Sequence, residues 1–246
     1  MRLDIFLYEN GLAQSRTEAK NLILSGAVRV FGKVISKPSF DLEATASDVA
    51  VDNSAKKYAS RGGFKLEGAL NSFNVDVIGR LAIDIGASSG GFTDCLLQNG
   101  AKHVIAVDSG SGQLAEFIRR DKRVTVFEGF NARYMKKEDF EYIPNLVVMD
   151  VSFISATYIM PAIYEILADS SDFICLIKPQ FEVGRGALGK GGIVKDEKAR
   201  LKAVEKVVGF ALELGFIHKK TIESPIKGGD GNKEYLAHFR KEIKND

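Results

Sequence analysis

Leu81-Ala82-Ile83-Asp84-Ile85-Gly86-Ala87-Ser88-Ser89-Gly90-Gly91-Phe92-Thr93 carries an apolar strand into a glycine-rich turn and then into a helix. That order of elements builds sites for nucleotide-type cofactors. Glycine at 86, 90 and 91 lacks the Cβ that would hold a ligand off the backbone, and a helix behind such a turn opens with unpaired N–H groups. Asp84 stands before the turn, and a second strand, Val104-Ile105-Ala106-Val107, ends in Asp108, whose carboxylate can accept hydrogen bonds from both hydroxyls of a ribose. The spacing Gly-x-x-x-Gly-Gly differs from the Gly-x-Gly-x-x-Gly turn that seats a dinucleotide pyrophosphate, which favours S-adenosylmethionine over NAD. The expected cofactor contacts are Asp84, Gly86, Ala87, Ser88, Gly90, Gly91, Phe92 and Asp108, with Phe130 and Asn131 at the end of the third strand, where an adenine would lie.

Working outward, strand and helix signals alternate from Leu81 onward, which argues for an α/β domain built on a mainly parallel sheet. Strands are expected near 81–85, 104–108, 124–128, 146–150 and 173–178, and helices near 91–99, 112–120 and 153–168. The second of these helices would place Leu114, Phe117 and Ile118 on one face. A helix over 195–214 shows Leu201, Val204, Val208 and Leu212 at spacings of three and four and stops at Gly215. The tail alternates over 216–223 and again over 234–240, around a loop holding Pro225, Gly228, Gly229 and Gly231, which reads as a closing β-hairpin.

Residues 1–57 break that alternation, with helices opening at Ile5-Phe6-Leu7 and over Arg16–Leu24 and short strands near Val28–Val30 and Val49–Val51. They predict a small α+β domain of their own, joined at about 56–59 to a second domain over 58–246. Charge is segregated within it: Arg16, Lys20, Arg29, Lys33 and Lys37 face one acid, Glu18, while Asp41, Glu43, Asp48 and Asp52 follow together. A basic strip of this kind suits a phosphate backbone, with Arg16 and Lys20 on one helix face; a solvated surface is the plainer alternative.

The chain has 246 residues, 45% hydrophobic and 27% charged, enough to bury a sizeable core in one large or two unequal domains. Cys95 and Cys175 are most simply reduced core residues of a cytoplasmic protein, which implies no disulfide scaffold or zinc cluster, and no metal is expected. The first residues do not read as a signal peptide, and the longest apolar stretch, 146–167, is broken by Asp150, Pro161 and Glu165, so no membrane association is expected.

Four polar residues exceed what a core requires. Lys65 lies on a helix beside an apolar stripe of Leu66, Ala69, Leu70 and Phe73; Asp150 and Lys178 end adjacent strands; Glu234 opens the last one. Ligands of open α/β sheets bind at that carboxyl edge. Methylating a ribose 2′-hydroxyl needs a base in line with the methyl donor, and a lysine serves only if a second cation and desolvation bring its pKa down from about 10.4. The glycine-rich stretch 184–192 suits a loop that orders over RNA, or simply a mobile surface loop.

Residues 2–52, with Arg2-Leu3-Asp4, Ser15-Arg16-Thr17-Glu18-Ala19 and Gly26-Ala27-Val28-Arg29-Val30-Phe31-Gly32-Lys33, resemble the S4 RNA-binding domain. The second domain resembles the FtsJ-type 2′-O-ribose methyltransferases, which carry a Lys-Asp-Lys-Glu tetrad. With Ser60-Arg61-Gly62-Gly63-Phe64-Lys65-Leu66, Met149-Asp150-Val151-Ser152-Phe153-Ile154-Ser155 and Lys178-Pro179-Gln180-Phe181-Glu182, the whole chain resembles the TlyA family, whose members are often named haemolysins. The family's pattern has valine where Ser109 stands. The resemblance implies a Rossmann-like domain with a mostly parallel seven-stranded sheet and terminal hairpin, and S-adenosylmethionine-dependent methylation of cytidine ribose in ribosomal RNA. It makes Lys65, Asp150, Lys178 and Glu234 catalytic, and Arg2, Arg16, Lys20, Arg29, Lys33 and Arg61 contacts to ribosomal RNA or ribosomal subunits. The rivals are a membrane-active haemolysin, which the absence of an apolar span disfavours, and a non-catalytic ribosome-assembly factor, which has little use for the tetrad.

Overall fold

The computed structural model describes residues 1–242 apart from 14, 25, 44, 46, 47, 52–56, 229 and 230, and leaves the side chains of 21, 24, 185 and 190 undescribed. Asp52, Lys56 and Gly229, on which parts of the sequence argument rest, lie outside the described residues. The chain divides into two compact units, Met1–Arg61 and Gly62–Asp246.

In the first unit, α1 (Leu3–Glu9) and α2 (Arg16–Leu24) cover a three-stranded sheet of order β2-β1-β3, formed by β1 (Val28–Val30), β2 (Lys33–Val34) and β3 (Val49–Val51). Leu3, Leu7, Ala19, Ile23 and Val28 are fully buried between helices and sheet. Strand β1 alternates buried, exposed, buried, so Val28 and Val30 face the core and Arg29 faces outward.

The second unit is a doubly covered α/β sheet. Helix α3 (Gly62–Phe73) precedes β4 (Leu81–Ile85), α4 (Gly91–Gln98), β5 (His103–Val107), α5 (Glu116–Arg119), β6 (Val124–Phe127), β7 (Leu146–Met149), α6 (Met160–Ile166), β8 (Ser171–Ile177), α7 (Pro179–Glu182), α8 (Glu197–Leu214), β9 (Ile217–Glu223) and β10 (Tyr235–Lys241). The seven strands lie in the order β6-β5-β4-β7-β8-β10-β9. The first five are parallel, while β10 runs antiparallel between β8 and β9, with Tyr235 opposite Ile177 and Phe239 opposite Phe173. All seven residues of β8 are buried, its apolar run Phe173–Ile177 covered on both faces and Ser171 and Asp172 buried at its start.

Three helices depart from expectation. The segment expected as a helix over 112–120 forms only the single turn α5, because residues 110–115 fold around Asp108: the Gly110 N–H donates to Asp108 Oδ1 at 2.7 Å, and Gly112 takes φ +72 and donates to Glu128 at 3.0 Å. Phe117, placed by periodicity on a buried face, is 62% exposed, while Leu114 and Ile118 are buried. The helix expected over 153–168 is a loop and a 3-10 turn before α6, whose start is set by Pro161. Helix α8 has the expected cap at Gly215, φ +102, but turns Ala203, Val204, Val207 and Ala211 to the sheet and leaves Leu201 and Leu212 exposed. Small alanines let the helix pack close, which the stripe of larger residues could not indicate.

At the end of the sheet away from the glycine turn, Asp172 is buried between His238 Nε2, 2.8 Å away, and Arg80, 3.0 Å away. Burial pushes the Asp172 carboxyl up, but the hydrogen bond from His238 and the charges of His238, Arg80 and Arg240 outweigh it and hold its pKa below the ordinary value. The stabilisation is therefore complete above about pH 4 and is lost as pH falls through the lowered folded value. Replacing Asp172 by Asn should lower stability by roughly 2–3 kcal/mol near pH 7, and thermal melts should show the gap from the parent chain closing on acidification below about pH 4.

Candidate active site

The turn after β4 is held from below. The Gly86 and Ala87 N–H groups donate to the Val107 carbonyl at 2.8 and 3.1 Å, and Gly90 closes the turn onto the Ala87 carbonyl at 2.7 Å. Gly86 and Gly90 lie at φ +85 and +93. A Cβ on Gly86 would enter the backbone carbonyl of Asp150, and one on Gly90 would enter the Ile118 and Leu114 side chains, so packing alone already requires glycine at both positions. Gly91, Phe92 and Ala87 are buried.

Asp84 is likewise fully buried. Its Oδ2 accepts from Thr93 Oγ1 at 2.6 Å, while Oδ1 has no hydrogen-bond partner among the described residues. Burial pushes its carboxyl up to about 7 against the pull of the Thr93 hydrogen bond, and the charges of Asp150 and Asp108 act in the same direction as burial. Asp108 is half-buried at the end of β5, and its two oxygens accept the Ser88 and Gly110 N–H groups, each at 2.7 Å. One N–H on each oxygen leaves a lone pair on each for a ribose hydroxyl, so turn and acid together fit S-adenosylmethionine. Ser88, at φ +48, is steadied by its hydroxyl donating to Gln113 at 3.1 Å.

Phe130 and Asn131 are already engaged. Phe130 packs edge-to-face on Phe127, with centroids 5.6 Å apart, at the margin of the core. Asn131 caps a 3-10 turn by accepting the Arg133 N–H at 3.1 Å.

The four charged residues form two ion pairs. Lys65 Nζ donates to Glu234 Oε2 at 2.5 Å, both side chains being buried. Lys178 Nζ lies 2.6 Å from Asp150 Oδ1, a charge contact without hydrogen-bond alignment, and donates to Ser152 Oγ at 2.7 Å. Lys65, expected beside the apolar stripe of α3, is in fact 5% exposed, because its partner waits beneath that helix. The register of β10 on β8, continued one residue past Tyr235 and Ile177, sets Glu234 beside Lys178. Gly68 of α3 packs against Pro225, and Gly228 lies directly on the Glu234 carboxylate, so the loop between β9 and β10 is fixed on both sides.

Three residues carry no role legible in the sequence, although Glu182 and Phe153 lie within its quoted motifs. Glu182, buried in α7, accepts from Ser155 Oγ at 2.6 Å, the Ala156 N–H at 2.7 Å and Lys206 Nζ at 3.2 Å, tying the loop after Asp150 to the helix after Lys178. Asn232 is buried and bridges the Val194 N–H at 3.0 Å and the Gly192 carbonyl at 3.1 Å, joining the glycine-rich loop to the segment bearing Glu234. Phe153, at φ +65 and 92% exposed, leans on Phe181 at 5.2 Å beside the Asp150–Lys178 pair.

In the first unit, Arg2 forks onto the buried Asp4 at 2.9 and 3.0 Å, and Arg16 lies 3.8 Å from the same carboxylate. Arg29 is exposed, as are Lys20 and Lys33, which form no ion pair among the described residues; Arg61 is half-buried.

The sheet, glycine turn and strand-end acid define the fold of an S-adenosylmethionine-dependent methyltransferase; a solved enzyme of that description from Mesorhizobium loti shares it at 13% identity and TM-score 0.54, covering 73% of this chain and 99% of that one. The FtsJ-like methyltransferase family matches residues 58–241 and the S4 domain residues 1–48. The chain belongs to the FtsJ-like methyltransferase family. It is 43% identical to the 16S/23S rRNA (cytidine-2'-O)-methyltransferase TlyA of Mycobacterium tuberculosis, over 97% of this chain and 89% of that protein. It is 44% identical to Hemolysin A of Brachyspira hyodysenteriae, over 97% and 99%. A solved structure of a candidate hemolysin from Streptococcus thermophilus matches at 43% identity and TM-score 0.79, covering 98% of this chain and 88% of that one.

Because a Cβ at 228 must displace the Glu234 carboxylate, Gly228→Ala should slow methyl transfer roughly a hundredfold. Gly209→Ala, in helix α8, where a Cβ likewise meets open space, is the matched control and should transfer at the parental rate in the same tritiated-methyl assay.

Proposed function

We propose that this protein transfers a methyl group from S-adenosylmethionine to a ribose 2′-hydroxyl, that of cytidine, in ribosomal RNA, acting in the cytoplasm on ribosomal RNA or ribosomal subunits. Residues 1–57 hold the RNA and residues 58–246 carry the chemistry. The observation behind this reading is the pair of lysine–carboxylate contacts at the ends of β7, β8 and β10, next to a glycine turn whose neighbouring acid suits a ribose. Family membership and the rRNA methyltransferase among the relatives support the same reaction. No helix among the described residues is long and apolar enough to cross a membrane.

Asp108 would hold the cofactor's ribose over the turn from Gly86 to Gly90. When bound, S-adenosylmethionine supplies an electrophilic methyl group on a positively charged sulfur. Lys178, as the neutral amine left once its own ammonium proton has passed to solvent, takes the proton of the target 2′-hydroxyl, and Asp150 and Ser152 keep its Nζ in place. Lys65, fixed by Glu234, sets a second cation where negative charge develops on that oxygen. Phe153 offers an open ring to the base of the target nucleotide. Arg2, Arg16, Lys20, Arg29, Lys33 and Arg61 supply phosphate contacts.

Lys178→Ala should abolish methylation mapped on ribosomal RNA while S-adenosylmethionine binding persists. Lys178→Arg should fail too, since a guanidinium does not release its proton at accessible pH; near-parental turnover by that variant would assign Lys178 to positioning alone. Asp108→Ala should weaken S-adenosylmethionine binding by about 1.5–3 kcal/mol through the loss of charged hydrogen bonds, and calorimetry showing unchanged affinity would remove Asp108 from the cofactor site.

A further inference from the structure

Among the described residues, five other than glycine lie at positive φ: Phe31, Asn74, Ser88, Phe153 and Ser170. Asparagine and serine tolerate that region, but a phenylalanine there is strained. Phe153 stands at the chemical site; Phe31 stands at the tip of the β1–β2 hairpin in the first unit. Phe31 at φ +48 and Gly32 at φ +75 form the two-residue loop between Val30 and Lys33, the double positive φ of a type I′ turn. Asparagine or aspartate ordinarily fills the first position of that turn, because a short polar side chain carries little strain.

The side chain is not held there by packing. Phe31 is 65% exposed and takes no part in the core of its unit, whereas Val28 and Val30, from the same hairpin, do. Its backbone is fixed: the Phe31 N–H donates to the Asp48 carbonyl at 2.9 Å, and Arg29 reaches the Gly32 carbonyl at 3.3 Å. The Asp48 carboxylate itself is turned away, onto the Thr45 N–H and hydroxyl at 2.9 and 2.7 Å, and leaves the hairpin's positive charge uncompensated by that acid. Arg29 and Val34, directly opposite one another, and Lys33 are all exposed on the same hairpin. An open aromatic face in a rigid, strained position, on a hairpin that also carries two exposed cations, is the arrangement that stacks on a base while its neighbours hold the flanking phosphates.

We propose that Phe31 stacks on an unpaired nucleobase of the RNA bound by the first unit, so that this hairpin tip distinguishes single-stranded loops from continuous duplex. Bases inside a duplex have both faces covered and offer the ring nothing. The proposal rests on the RNA-binding reading given above and adds to it a residue and a preference.

The test uses the full chain and two RNAs of equal length, a stem-loop with an unpaired purine loop and a blunt duplex, with binding followed by fluorescence anisotropy across a salt series. Phe31→Asn should bind the stem-loop roughly tenfold more weakly, with its salt slope unchanged because no charge is lost, and should bind the duplex as the parent does. The same variant should melt at a higher temperature, since asparagine suits the turn, which is the opposite of what a packing role predicts. Phe31→Trp should keep the stem-loop affinity, and Phe31→Leu, apolar but without a ring, should lose it. Equal affinity of Phe31→Asn and the parent, full affinity in Phe31→Leu, or Phe31-dependent binding to phosphatidylglycerol–phosphatidylcholine vesicles in place of RNA would each overturn the proposal. If the parent bound neither RNA, the RNA-binding reading would fall with it; ribosomal RNA methylation unchanged in Phe31→Asn, together with equal stem-loop affinity, would remove the stacking role alone.

Discussion

The antiparallel seating of β10 between β8 and β9 governs what stands at the functional edge. Strands β4 and β7 bring the glycine turn and Asp150 to that edge by parallel pairing, but Glu234 reaches it only because Tyr235 pairs with Ile177. A slip of one residue would turn every side chain of β10 to the other face of the sheet and carry Glu234 away from Lys65. The register is held well away from the edge, where Phe173 and Phe239 stack at 5.6 Å and His238 engages Asp172 at 2.8 Å. Packing at one end of the strand thereby determines chemistry at the other.

Beyond the register, the ion pairs depend on groups that never reach the edge. A buried ion pair is only as good as its geometry, because desolvation of both charges must be offset by well-placed partners. Glu182 satisfies this for the Asp150–Lys178 side by clamping the two segments that leave β7 and β8, and it is itself satisfied by a hydroxyl, a backbone N–H and Lys206. Asn232 does the corresponding work for the Lys65–Glu234 side with its amide bridging residues 192 and 194. Gly228 and Gly68 complete the arrangement by having no Cβ where Glu234 and Pro225 need room.

The parallel strands are legible in the sequence because strands covered on both faces must be apolar throughout, and their ends are marked by Asp108, Asp150 and Lys178, polar residues directly after apolar runs. Tetrad and cofactor turn are likewise visible as motifs. Their physical reasons are less so: the glycines at 86 and 90 make way for Asp150 and Ile118, which are remote in sequence, and Lys65 is buried by a partner 169 residues away. The failed helix over 112–120 has the same origin, since the backbone N–H groups there serve Asp108 and Glu128 instead of a helical ladder. Asn232 looks like an ordinary surface residue, and Glu182 is only the end of a motif, until the fold supplies their partners.

As resting ion pairs, before Lys178 gives up its proton to act as a base, two ammonium groups and two carboxylates leave the tetrad with no formal net charge. A polyanion therefore gains nothing from the chemical centre as such, and its attraction must come from basic residues elsewhere on the chain. The contacts of 2.5 and 2.6 Å lie far inside the screening length of about 8 Å at physiological ionic strength, whereas exposed lysines and arginines act across it. Ionic strength should then separate encounter from turnover: added salt raises the KM for RNA and leaves kcat at saturating RNA unchanged, so that the protein can be tuned for capture without disturbing the group that reacts.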